Sequence, residues 1–167
     1  MYWYSHLQCA VLWKCVLGNT FNVTCGVRQG GVLSPYLFSA YIYELICKLR
    51  ASGFGLHIGN IFVGCIMYAD DIMLLSSSCY GVQKLVDICA VYGQHWNICF
   101  NSMKTHCLTC GGKNPQQFKI TLNNKIVEWN NKLKYLGCTF VSWSCHVDYS
   151  NNTRKFYGNF NTILSVI

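Results

Sequence analysis

Ile61-Phe62-Val63-Gly64-Cys65-Ile66-Met67-Tyr68-Ala69-Asp70-Asp71-Ile72-Met73-Leu74-Leu75 is the stretch that decides how this chain is read. Two apolar runs of strand length, rich in β-branched and large side chains, flank Tyr68-Ala69-Asp70-Asp71. The pattern predicts a hairpin with adjacent carboxylates at its tip. Such charges repel each other, and a bound divalent cation relieves the repulsion. Mg²⁺ takes hard oxygen ligands and is commonly held by one or two carboxylates together with substrate phosphates. Asp70 and Asp71 are therefore candidate metal ligands. The plainer alternative is a solvated Asp-Asp turn, and the tetrapeptide alone does not separate the two.

Upstream lies Gly26-Val27-Arg28-Gln29-Gly30-Gly31-Val32-Leu33-Ser34-Pro35. The paired glycines allow a tight turn or a close approach to a ligand. Ser34 suits a helix N-cap and Pro35 the first helical position. A helix over 34–51 then follows, with Leu37, Phe38, Tyr41, Ile42, Leu45, Ile46 and Leu49 on its buried face. Glycines at a helix N-terminus beside Arg28 and Gln29 can receive a phosphate or a base edge; an ordinary helix entry has the same appearance.

Around these segments, Trp3, Leu7, Ala10 and Val11 share a face at helical spacing, predicting a helix over 1–17 that ends at Gly18-Asn19. Strands are expected near 21–25, 61–67, 72–77, 105–110 and 134–140, and a helix over about 80–95. A hairpin is expected over 118–129, turning at Asn123-Asn124. A last helix is expected from Asp148, with Phe156, Phe160, Ile163 and Leu164 on one face.

The 167 residues suit one domain, 52% apolar and only 11% charged, which argues against disorder. Thirteen Lys and Arg stand against 6 Asp and Glu, a formal charge of +7 that suits a polyanionic partner. Lys104, Lys113, Lys119, Lys125, Lys132 and Lys134 crowd one stretch with Glu128 the only acid among them. That pattern fits a surface tracking phosphates, or an ordinary solvated face. The 12 cysteines fall mostly in apolar runs, as buried thiols do. Cys107 and Cys110, with Cys138, Cys145 and His146, lack zinc-finger spacing and leave a structural zinc site a weak alternative. No apolar run reaches transmembrane length, and the first residues make a poor signal peptide. The expectation is an intracellular protein, nuclear or cytoplasmic, that is not secreted and has no membrane partner.

The order of these motifs resembles the reverse transcriptase domain of non-LTR (LINE-type) retrotransposons. The Gly-Val-Arg-Gln-Gly-Gly-Val-Leu-Ser-Pro loop precedes Tyr-Ala-Asp-Asp; Asn101-Ser102-Met103-Lys104 and Tyr135-Leu136-Gly137 follow. The resemblance implies an α+β fold, a partial right-hand polymerase palm with an antiparallel sheet and helices on one face. It places a partial palm at 1–147 and the start of a thumb at 148–167. It implies RNA-directed DNA polymerase chemistry by two-metal nucleotidyl transfer with Mg²⁺ or Mn²⁺. The partners it implies are an RNA template, a DNA primer and a deoxynucleoside triphosphate (dNTP).

Within that resemblance Asp70 and Asp71 hold metal, and Lys104 acts on the leaving pyrophosphate. Arg28, Gln29 and Gly30 lie along template and nucleotide, Tyr68 against the primer end, and Tyr135, Leu136 and Gly137 in the primer grip. Lys132 and Lys134 join the nucleic-acid surface. One departure matters: the family uses a further aspartate on a strand before the Gly-Val-Arg-Gln-Gly motif. The acids here are Glu44, Asp70, Asp71, Asp87, Glu128 and Asp148. The expectation is a C-terminal palm portion, a degenerate or truncated copy that is inactive alone. The alternative is a non-catalytic nucleic-acid-binding module.

Overall fold

The computed structural model describes residues 6–24, 26, 28–111, 118–142 and 147–165. They fall into two compact units, Met1–Tyr43 and Glu44–Ile167, each taken by itself below.

In the first unit β1 (Gln8–Cys9), β2 (Leu12–Trp13), β3 (Val16–Leu17) and β4 (Phe21–Asn22) form nested antiparallel pairs. Lys14 and Cys15 both take positive φ, 47° and 66°, at the tight turn between β2 and β3. That hand matches the twist of a hairpin. The Gly18 and Val23 amides donate to the Val11 and Leu7 carbonyls, extending the nest. The helix expected over 1–17 is thus replaced by strands wherever residues are described. A short apolar run reads equally as helix or strand, and here the pairing of 12–13 with 16–17 and of 8–9 with 21–22 decides it. Trp3 and Cys25 lie outside the described residues. Helix α1 (Ser34–Ala51) begins here. Its Ile42 is buried, whereas Leu37 and Tyr41, expected in the core, remain exposed.

The second unit takes the rest of α1, whose Leu45 and Leu49 are fully buried. It continues with β5 (His57–Ile58), β6 (Ile61–Phe62), β7 (Cys65–Tyr68), β8 (Asp71–Leu74) and α2 (Cys79–Trp96). Then come β9 (His106–Cys107), β10 (Ile120–Leu122), β11 (Lys125–Trp129), β12 (Lys132–Tyr135), β13 (Cys138–Val141), β14 (Val147–Asp148) and α3 (Ser150–Leu164).

The expected antiparallel sheet is instead a set of small sheets among the described residues. β5 pairs with β6, β7 with β8, and β12, β13 and β14 form an antiparallel meander. β10–β11 is a hairpin whose turn residues Asn123 and Asn124 both have positive φ, 51° and 63°, as the sequence predicts. β9 pairs parallel with β11, against expectation. The run 134–140 is two strands rather than one. Leu136 and Gly137, with φ of 48° and 81°, turn the chain back between them. Likewise 61–67 breaks at Val63-Gly64 into β6 and β7.

Helix α2 gathers the core. The Ser78 side chain accepts from the Gly81 amide at its start, satisfying one of the helix's unpaired donors. Asn97, left-handed with φ 55°, returns its amide to the Gly93 carbonyl at the end. Leu85, Val86, Cys89 and Tyr92 are buried along one face of the helix, at the spacing of an amphipathic stripe. Fully burying Leu85 contributes about 1.5–3 kcal/mol. Val86 packs in one cluster with Ile120, Leu122 and Val127, joining the helix to the β10–β11 hairpin. The Gln83 carboxamide of α2 donates to the Thr121 carbonyl at 3.0 Å and accepts from its amide at 2.8 Å. Helix α3 keeps Phe156, Phe160, Ile163 and Leu164 exposed. No helix among the described residues is long and apolar enough to cross a membrane.

Candidate metal and nucleic-acid site

Tyr68 and Asp71 are the last facing pair of the β7–β8 ladder, so Ala69 and Asp70 form the turn. Ala69 carries a φ of 50°, a left-handed conformation that side chains other than glycine adopt at a cost. Tyr68, Ala69, Asp70 and Asp71 are all exposed. The ladder therefore presents the carboxylates of consecutive residues at an open tip.

Three devices hold that tip. First, the backbone around Leu75 is bonded on two sides: its amide donates to Gly64 at 2.8 Å, and its carbonyl accepts from Leu56 at 3.0 Å. Second, Gly55 and Gly64 cross with no room for a side chain. A Cβ on Gly64 would sit 2.6 Å from the Gly55 Cα. Third, the Tyr135 hydroxyl reaches from β12 to the Ile66 carbonyl at 3.0 Å and the Asp71 carbonyl at 3.3 Å. Burial, then the nearby Asp71 and Cys65, raise the Tyr135 pKa above the ordinary phenol value. The contact uses the Asp71 backbone and leaves its carboxylate to the solvent side.

Two adjacent, exposed carboxylates are hard oxygen donors and fit a single divalent ion whose remaining ligands are water or phosphate. Among the described residues no three His, Cys, Asp or Glu converge on a metal-sized space.

Lys104 is exposed in a separate turn organised by Asn101. The Asn101 carbonyl accepts from the Lys104 amide at 3.1 Å and from the Thr105 hydroxyl at 2.8 Å. Lys132 and Lys134 alternate with Leu133 and Tyr135 along β12, so both lysines face solvent on one side. Hydrogen bonds from Ser150, aided by Lys132, hold the Asp148 carboxyl below its usual range. Among the described residues neither Lys104, Lys132 nor Lys134 is in a salt bridge. Leu136 and Gly137 occupy the exposed β12–β13 turn, where the Gly137 carbonyl accepts from the Asn152 side chain of α3 at 3.1 Å.

Arg28, Gln29 and Gly30 sit in an exposed loop of the first unit. The Ser34 hydroxyl donates to the Arg28 carbonyl and draws that loop shut. A Cβ on Gly31 would lie 2.7 Å from the Ser34 oxygen, so the closed loop requires a bare α-carbon there. The Cys107 thiol is pushed up to about 11 by burial and then by Cys79. Cys145, His146 and Lys113 lie outside the described residues.

Of the expected site residues, the structure brings Tyr68, Asp70, Asp71 and Tyr135 together. The residues that sequence reasoning missed are Gly55, Gly64 and Asn152. The only advance signal was Gly64 interrupting an apolar run, which marks a bulge or a close backbone approach.

Residues 2–140 match the family model described as reverse transcriptase (RNA-dependent DNA polymerase). The chain is 25% identical over 134 residues to the RNA-directed DNA polymerase from mobile element jockey of Drosophila melanogaster, covering 75% of this chain and 14% of that protein. It is 32% identical over 123 residues to the probable RNA-directed DNA polymerase from transposon BS of the same organism, covering 68% and 13%. A shorter match, 43% over 54 residues, links it to the Pol polyprotein from type-1 retrotransposable element R2 of Popillia japonica, covering 32% and 8%. The chain thus spans a small part of the length of each of these relatives.

Proposed function

This chain belongs to the reverse transcriptase family, and on that premise we propose that it supplies the carboxylate hairpin and part of the template–primer surface of an RNA-directed DNA polymerase from a LINE-type element. The observation that carries the reading is the exposed turn bearing Asp70 and Asp71 at the end of a braced hairpin. The partners are an RNA template, a DNA primer and a dNTP. The fold proposed for it is a partial polymerase palm, with α3 as the start of a thumb.

In the reaction the primer 3′-oxygen bonds to the α-phosphorus of the dNTP, the bond to the β-phosphate breaks, and pyrophosphate leaves. Asp70 and Asp71 would hold Mg²⁺ or Mn²⁺, which when bound would lower the hydroxyl pKa and offset triphosphate charge. Tyr68 lies against the primer end. The Lys104 ammonium neutralises charge building on pyrophosphate. Arg28 and Gln29 contact template or nucleotide, with Gly30 giving the backbone close approach. Lys132 and Lys134 track phosphates across one face, and the Leu136-Gly137 turn borders the primer.

Turnover requires both ions to be held while the oxygen attacks in line. With only Asp70 and Asp71 converging here, the 167-residue polypeptide alone is expected not to extend a primer on RNA with either ion. Fusion to an upstream palm segment carrying the family's additional aspartate is expected to give extension, and Asp70→Asn to abolish it. Extension that survives Asp70→Asn would refute the role of that residue. Extension by the 167-residue chain alone that is lost on Asp70→Asn would refute the carboxylate requirement. The second reading, binding without turnover, is favoured by the exposed lysines along β12. It predicts salt-sensitive duplex binding that Asp70→Asn leaves intact and no extension even in the fusion.

A further inference from the structure

We infer that Tyr135 is a positioning residue: its hydroxyl clamps the β12–β13 hairpin to the carboxylate hairpin and sets the Asp70–Asp71 turn in place. The cation part of this inference rests on the function proposed above; the clamp itself rests on geometry.

A phenol has one proton to donate. The Ile66 carbonyl at 3.0 Å and the Asp71 carbonyl at 3.3 Å share it, one from each strand of the β7–β8 pair. The hydroxyl therefore straddles the hairpin just behind its tip. β12 alternates exposed Lys132 and Lys134 with part-buried Leu133 and Tyr135. Tyr135 faces the protein while the lysines face out, so β12 touches the carboxylate turn through this side chain. The same hairpin is held from behind, where Asn152 of α3 donates to the Gly137 carbonyl. Two hydrogen bonds joined by the backbone of the Leu136-Gly137 turn thus link α3 through Tyr135 to Asp71.

The test compares the full chain with its Tyr135→Phe variant, which removes the hydroxyl and keeps the ring. Deuterium uptake by the amides of 65–74 is expected to quicken about fivefold, the effect of one net hydrogen bond. Uptake in α2 and in β10–β11 is expected to stay unchanged. Unchanged uptake at 65–74 would overturn the inference, and so would faster uptake spread equally over α2 and β10–β11, which is a general loss of packing. Mn²⁺ gives a second readout, paramagnetic broadening of the amide signals of 68–72. The Mn²⁺ concentration for half-broadening is expected to rise several-fold in the variant; no rise would overturn the positioning of the carboxylates. If Mn²⁺ broadens none of these signals in the parent chain, the proposed cation site fails, and the deuterium comparison alone decides the clamp.

Discussion

Gly64→Ala isolates the steric device beneath the carboxylate hairpin. The new Cβ would sit 2.6 Å from the Gly55 Cα and 2.6 and 2.8 Å from two atoms of the Phe62 ring. Carbon contacts settle near about 3.5–4.0 Å, so roughly 1 Å of separation must be found. The ring can swing. The Gly55 backbone has less freedom, because the neighbouring Leu56 amide is bonded to the Leu75 carbonyl at 3.0 Å. Overpacking of this kind costs about 1–3 kcal/mol. Gly64 does not have positive φ, so alanine regains about 0.5–1 kcal/mol of backbone entropy. The net expectation is a loss of up to about 2.5 kcal/mol, centred on about 1 kcal/mol, read as a lower urea midpoint by tryptophan fluorescence. The control is Gly158→Ala in α3, where nothing lies within 4 Å of the new carbon. There helix propensity alone predicts a gain of about 0.5–1 kcal/mol. A Gly64→Ala variant more stable than the parent, as Gly158→Ala is expected to be, would refute the crossing as a constraint.

Ala69→Gly removes a left-handed alanine from the turn and is expected to raise stability by about 1 kcal/mol in the same urea assay; a lower midpoint would show the turn to be unstrained. Buried Cys89, pushed up to about 12 mainly by burial, is expected to resist iodoacetamide at pH 8 in the folded chain, whereas exposed Cys9, Cys15 and Cys99 react. A raised thiol pKa gives stability that is full below the unfolded thiol value of about 8.5 and is lost as pH climbs through the folded value. With Cys107 at about 11, the urea midpoint is therefore expected to fall steadily from pH 9 to 11. Replacing Lys132 and Lys134 together by alanine is expected to weaken template–primer binding and flatten its salt slope. Replacing Cys107 and Cys110 is expected to do so less; the reverse ranking would favour a metal-bound cysteine site.

What could be read from the sequence was local. The α2 helix, its inward face and the Asn123-Asn124 hairpin follow from spacing and turn chemistry within a few residues. The carboxylate turn is legible for the same reason, since Tyr68 to Asp71 needs only its two apolar flanks. The errors lie where distant partners decide. Residues 8–17 could pass for a helix, but 12–13 fold back onto 16–17 and 8–9 pair with 21–22. The 134–140 run looks like one strand because Leu136, an apolar residue, gives no hint that it will take positive φ. Ordinary turn signals favour glycine or asparagine there. The contact of Tyr135 with Ile66 and Asp71 joins positions far apart in the chain, and no spacing rule reaches it.

Gln83 has a consequence for how copies of this protein behave together. β10 is the outer strand of its sheet, and an outer strand offers its peptide groups to any other chain that can pair with it. A carboxamide is the side-chain replica of a peptide unit, with the same donor and acceptor. By engaging both the amide and the carbonyl of Thr121, the Gln83 side chain acts as a one-residue counterfeit of a neighbouring strand. It occupies the place where a foreign strand would begin to zip on, in a chain whose apolar content favours self-association. An alanine at position 83 would leave the fold its own core and uncover that seam, turning a quiet edge into a template for intermolecular pairing.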